Sequence, residues 1–173
     1  MKKSIKKIVY LIIHCTATSD GQVVTASMIR KWHTSPLPSG RGWKQVGYSD
    51  MIHLNGIVEN LVPYDEDEFV QPREITNGVE GINAKSRHVV YVGGMDADGK
   101  KPMDTRTREQ RLALRNYVFN MISHHPDILI AGHNQFANKA CPSFDVPLWL
   151  SGIGVPEKNI YRATAKNKVV TPS

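Results

Sequence analysis

The sequence predicts one α/β domain, a mixed central β-sheet flanked by helices. Three observations carry this prediction. Two short apolar runs, IVYLII at 8–13 and HVVYV at 88–92, have the length and β-branched character of strands buried on both faces. Segments with helical periodicity and helix-start chemistry alternate with them, which is the pattern of a layered α/β fold. A chain of 173 residues, 40% apolar, is long enough for one good core and too short for two ordinary domains.

Each element has its own warrant. TASMIRKWH at 25–33 reads as a helix, with Thr25 as N-cap and Ile29, Trp32 and His33 on one face. PLPSGRGW at 36–43 is a loop. YSDMIHLNGIVENL at 48–61 holds two strand-like runs joined by Asn55-Gly56, a strong hairpin signal that makes the sheet mixed rather than purely parallel. PYDEDEF at 63–69 is acidic and expected to be exposed. After the 88–92 strand, Gly93-Gly94 and DADGK at 96–100 mark a stop and a turn. Thr107 and Gln110 form a capping box. Leu114, Tyr117, Val118, Met121 and Ile122 then follow the spacing of a one-sided core helix that ends before Pro126. ILIA at 128–131 is a short strand, and Val146–Leu150 forms a last helical turn.

The domain is expected to span 8–155. Residues 1–7 read as a basic N-terminal tail and 156–173 as a disordered, lysine-rich C-terminal tail. The net charge of +6 sits mostly in these ends, which hold eight of the 22 basic residues. The body is near neutral, so a nucleic-acid groove, which needs its cations on the folded surface, is not expected. There is no apolar run of the roughly 18 residues a membrane span needs. The start MKKSIKKIVYLIIHC imitates a signal peptide, but its apolar stretch is short and no small-residue cleavage site follows. The expectation is a protein made in the cytoplasm without an export signal. Two cysteines make no disulfide framework, and a Cys15–Cys141 pair has nothing in the sequence to support it.

The stretch AGHNQFANKACPSFD at 131–145 raises the question of chemistry. His14 ends the first buried strand and His133 follows the ILIA strand, positions beyond strand carboxyl ends where α/β sheets collect ligands. With Cys141 they fit a three-ligand catalytic zinc site that keeps a fourth position for water. Imidazole and thiolate suit zinc better than magnesium or calcium. The His-to-Cys spacing is no standard pattern, however. On these residues alone, a capping histidine and an inert buried thiol remain the alternative.

A wider set of motifs bears on that choice. HCTAT (14–18), IRKWHTS (29–35), GRGWKQVGYSDMIHLNGIVE (40–59), GIN (81–83), YVGGMDADGK (91–100) and KACPSFD (139–145) occur in this order. Together they resemble the zinc-dependent N-acetylmuramoyl-L-alanine amidases of the phage-lysozyme and peptidoglycan-recognition type, over about residues 8–150. The resemblance implies a shallow cleft for peptidoglycan, one Zn²⁺ per chain, and cleavage of the amide between N-acetylmuramic acid and L-alanine. It implies His14, His133 and Cys141 as zinc ligands, and Tyr48 and Lys139 as catalytic groups. A lone catalytic domain of this kind resembles a phage lysis enzyme acting on the cell wall after release. The expected partner is peptidoglycan, with no nucleic acid, no membrane and a monomer favoured.

The other histidines have plainer expectations. His33 serves packing or a cleft-edge hydrogen bond, His53 is exposed, His88 starts a strand, and His124-His125 end a helix. Cys15, adjacent to His14, points to the opposite face of its strand and belongs to the core. The chain also departs from the family pattern. Ser49 and Asp50 stand where relatives often carry His and Phe, and Thr76-Asn77-Gly78 stands for Gly-Ala-His; all are expected to line the cleft. Two rival readings follow. A recognition module would bind peptidoglycan without cutting it, though such relatives typically lack the zinc cysteine. A zinc-stabilised interaction protein would need a fourth ligand.

Overall fold

Five strands make the central sheet. The structure is a computed structural model and describes residues 5–163. β1 (Lys6–Lys7), β2 (Tyr10–Cys15), β3 (Thr18–Ser19), α1 (Ala26–Thr34), β4 (Asp50–Ile52), β5 (Val58–Asn60) and β6 (Phe69–Val70) form the first half. β7 (Ser86–Tyr91), β8 (Gly94–Met95), α2 (Arg108–His124), β9 (Leu129–Gly132) and α3 (Val146–Gly152) complete it. The sheet order is β5-β4-β7-β2-β9, and two-stranded ladders β1-β6 and β3-β8 stand apart. Within the five-stranded sheet, β2, β4, β7 and β9 are parallel and β5 runs antiparallel to β4. The sheet is mixed because of the hairpin, as the sequence predicts.

β2 is apolar from Leu11 to Ile13 because both its faces are covered. Leu11, Ile13 and Cys15 pack with α2 and α3 through Leu114, Val118, Val146 and Leu150. Ile12 turns the other way, towards Val79 and Ala131. On that second face Val90, Val92 and Met51 pack against Ile29 of α1. Ile13 has no exposed surface, so its truncation to alanine would cost about 2–5 kcal/mol.

The helices start where their caps dictate. The Thr25 side chain accepts from Met28 N–H. In α2 the capping box is complete: Gln110 N–H donates to Thr107 Oγ1 at 3.0 Å and Thr107 N–H donates to Gln110 Oε1 at 2.9 Å. Asp145 caps α3 by accepting from Leu148 N–H. In the hairpin Gly56 takes φ +83°, a left-handed conformation, and its Cα faces the Glu109 carbonyl so closely that a Cβ would lie 2.8 Å from it.

Some residues assigned to the two tails belong to the fold. Lys6–Lys7 form β1, paired with Val70 and Phe69 through backbone alone, so their exposed side chains carry no strand signal. At the other end, residues 157–159 form a short helical turn, Ile160 bridges Ile130, and Tyr161 stacks on Phe136. The rest of the expected tails, residues 1–4 and 164–173, falls outside the described residues. Among the described residues, no helix is long and apolar enough to cross a membrane.

Candidate metal centre

Strand register creates the site. β2 and β9 run parallel with Ile13 opposite Gly132. His14 and His133 are the next residues on each, so the two imidazoles leave the same sheet edge side by side. Their Nδ1 atoms stand 3.1 Å apart. Cys141 Sγ lies 3.7 Å from His14 Nδ1, and the three donor atoms all fall within 4.8 Å of one another. A tetrahedral ion with bonds of about 2.0–2.3 Å holds its donors roughly 3.3–3.8 Å apart, so the His14–Cys141 pair already has zinc-site spacing and the group as a whole needs shifts of about 1 Å to close on an ion.

Its electrostatics favour ligation by the histidines. Burial, with the neighbouring His88 and His133 and the Lys139 charge, holds His14 well below the ordinary histidine range. Burial and the Lys139 charge bring His133 down to about 4. Both imidazoles are therefore neutral at physiological pH and keep a lone pair for a metal. Burial pushes the Cys141 thiol up. A divalent cation beside it works the other way, because coordination deprotonates a thiol outright.

The loop carrying Cys141 is fixed from several sides. Cys15 N–H donates to Cys141 Sγ at 3.3 Å, and Asn134 N–H donates to the Cys141 carbonyl at 2.7 Å. The Tyr91 hydroxyl donates to the Pro142 carbonyl, and Ser143 Oγ donates to the Gly94 carbonyl. Gly94 sits at φ +101°, and a Cβ there would lie 2.4 Å from Cys15 Sγ, so only glycine fits between the two loops. The Arg106 guanidinium lies 3.3 Å from the centre of the Phe144 ring and is held from behind by Asp104. Both cysteines are free thiols, and Cys15 belongs to the core on the α2 side.

The two histidines line a cleft of ≈ 710 Å³ whose walls also include Tyr48, His33, Trp43, Asn77, Gly78 and Lys139. The Tyr48 ring stands 5.1 Å from the His14 ring. Burial and the neighbouring thiols push its phenol up, so it stays protonated and can donate. His33, 8% exposed, accepts from Gly47 N–H through Nδ1 at 3.0 Å, which fixes the residue before Tyr48. This is the cleft-edge hydrogen bond expected of it. Lys139 is exposed on the cleft wall, close enough to the histidines for its charge to lower them.

Some expectations change. Ser49 and Asp50 are buried and are not among the cleft's walls. Strand alternation turns Asp50 towards α2, where its carboxylate accepts from Tyr64, Tyr117 and Asn60. Thr76 is also buried, while Asn77 and Gly78 do line the cleft. His53 is half-buried and bonded to Glu59. His88 does not start its strand: it sits third in β7 with no exposed surface, and its Nδ1 lies 3.0 Å from His14 Nε2. The sequence signal for His88 is slight, because it follows two other polar residues, Ser86 and Arg87, at the start of β7. Arg106 was missed as well, because its partner ring lies far along the chain.

No protein-family model matches the chain. The endolysin of Enterobacteria phage K11 is 35% identical over 138 residues, covering 80% of this chain and 82% of that protein. The chain belongs to the endolysin family. The endolysin of Escherichia phage T7 is 32% identical over 139 residues, with 80% and 83% covered. Among solved structures, the N-acetylmuramoyl-L-alanine amidase LysC from Clostridium intestinale has the same fold, with a TM-score of 0.66 at 16% identity over 89% of this chain and 92% of LysC.

Proposed function

We propose that the chain is a zinc-dependent N-acetylmuramoyl-L-alanine amidase, hydrolysing the amide between N-acetylmuramic acid and the L-alanine of the peptidoglycan stem peptide. The observation that carries this reading is the His14–His133–Cys141 group, whose two histidines line a cleft, in a chain of the endolysin family. Two neutral imidazoles and a thiol at this spacing are a zinc donor set. Three donors rather than four leave a position for water, which separates a catalytic site from a closed structural one. Zinc bound there supplies a Lewis acid and an acidified water at neutral pH.

The chain's own residues do the positioning and the charge work. The transition state of amide hydrolysis places negative charge on the carbonyl oxygen. Lys139, a cation on the cleft wall, stabilises that charge. Tyr48, held beside His14 and kept protonated, donates a hydrogen bond to the attacking water or the oxyanion, or relays a proton to the leaving amine. The open cleft admits a glycan strand with its stem peptide, so peptidoglycan is the partner and the cell wall the place of action.

Mass spectrometry of muropeptides from digested cell wall tests the reading. Intact glycan strands with free L-alanine amino groups are expected. Cleavage within the glycan or within the peptide would overturn it. Elemental analysis is expected to give about one zinc per chain, the number one three-donor site allows, and full activity in metal-free protein would end the zinc assignment.

A further inference from the structure

His88 is a buried imidazole with no part in the reading so far. It lies opposite Ile12, one strand across from His14 and on the same face of the sheet. Its Nδ1 is 3.0 Å from His14 Nε2, with the rings tilted 53° to each other. His14 directs Nδ1 at the other two donors, so its neutral ring carries the proton on Nε2. That N–H donates to His88 Nδ1. The proton of His88 then sits on its own Nε2, which has no hydrogen-bond partner among the described residues. A leucine here would bury more apolar surface and leave nothing of its own unpaired. Core packing alone does not select histidine at this position.

The place it occupies is cut to fit. A Cβ on Gly78 would lie 2.2 Å from His88 Nδ1 and 2.5 Å from its Cγ. Gly78 is not among the glycines with positive φ, so its backbone does not require glycine. The imidazole does. Two residues ten positions apart thus form a matched pair: no side chain at 78, and a ring from 88 filling the gap.

We propose that His88, seated over Gly78, is a positioning residue for the metal site. It accepts from His14 Nε2–H, holds His14 in the tautomer that leaves Nδ1 free, and fixes the plane of the ligand ring. This rests on the zinc reading above. Metal-ligating histidines commonly donate their second N–H to a carboxylate, a carbonyl or water, and losing that acceptor typically weakens metal binding about 10–100-fold. Here a second, neutral imidazole fills that role.

The test is zinc affinity by chelator competition, with the visible spectrum of the cobalt(II)-substituted protein as a readout of ligand geometry. Circular dichroism checks the fold of each variant. His88→Leu fills similar space and cannot accept; a loss of about 10–100-fold in zinc affinity and an altered cobalt spectrum are expected. His88→Asn places Oδ1 near the position of Nδ1 and still accepts, so it should hold affinity within about threefold of wild type. Gly78→Ala displaces the imidazole without removing it and should behave like His88→Leu. Wild-type affinity in folded His88→Leu overturns the proposal, as does an equal loss in the Leu and Asn variants, which would make His88 a packing residue. If His88→Leu does not fold, wild-type affinity in Gly78→Ala overturns it. The wild type is measured first: if it binds no zinc, the metal reading itself fails, and the proposal fails with it.

Discussion

The Tyr91 hydroxyl donates a 2.7 Å hydrogen bond to the carbonyl of Pro142, the residue after Cys141. Tyr91 ends β7 and is 1% exposed, so the bond ties the middle of the sheet to the loop that brings the thiol to the histidines. Burial pushes the Tyr91 phenol up, so it donates at any physiological pH.

Tyr91→Phe removes that donor and little else. The Pro142 carbonyl is then left without its partner, which should lower unfolding stability by about 1–3 kcal/mol in urea. Zinc affinity should fall roughly tenfold, the low end of what supporting contacts contribute to metal sites. An unchanged urea midpoint would mean that water takes over the bond.

Lys139→Ala separates charge stabilisation from loop structure. Turnover on cell wall should fall by roughly 10²–10³, the usual loss for one oxyanion-stabilising group. Zinc content should stay at the wild-type level, because Lys139 is exposed and donates no ligand. Loss of zinc together with turnover would make Lys139 a scaffold for the loop. Unchanged turnover would remove its assigned role.

The fold was more legible in the sequence than the site. The run at 8–13 declared a strand because both faces of β2 are covered, and Thr107 and Gln110 declared a helix start because the two capping bonds are local. β1 was illegible for the opposite reason: two exposed lysines pair through backbone, which leaves no trace in side-chain pattern. The site depends on register. Nothing in the spacing of His14 and His133 says that Ile13 pairs with Gly132, yet that pairing sets the two imidazoles together. Their grouping with Cys141 was suggested by places at strand ends, and the family resemblance, not spacing, decided it. His88 and Arg106 act on partners 74 and 38 residues away, beyond the reach of local pattern.

Acid should loosen the same loop. Burial pushes the Asp104 carboxyl up, yet the hydrogen bonds and charge of Arg106, with the charge of Arg111, outweigh it and hold the group below its ordinary value. A carboxylate with a depressed folded pKa adds stability above its unfolded pKa and loses it as pH falls through the folded value. The Asp104 contribution should therefore be present at neutral pH and fade below roughly pH 4. Asp104→Asn should be less stable than wild type at pH 7, and the difference should shrink as the pH is lowered through that window. Urea midpoints measured across the range check this, and a pH-independent difference would assign the effect to packing.

Cys141→Ser bears on what the metal is for. Serine can still accept from Cys15 N–H, so the loop keeps one of its ties, but a neutral hydroxyl is a poor ligand in place of a thiolate. Zinc affinity should fall sharply and cleavage with it. The cleft should survive, since the sheet beneath it is held by Leu11, Ile13, Val89 and the helices rather than by the thiol. The variant should therefore still sediment with insoluble peptidoglycan while releasing no L-alanine termini. Retained cleavage would mean that Cys141 is not a ligand. Loss of the circular dichroism signal on zinc removal would mean that the metal holds the fold, and the site would then be structural rather than catalytic.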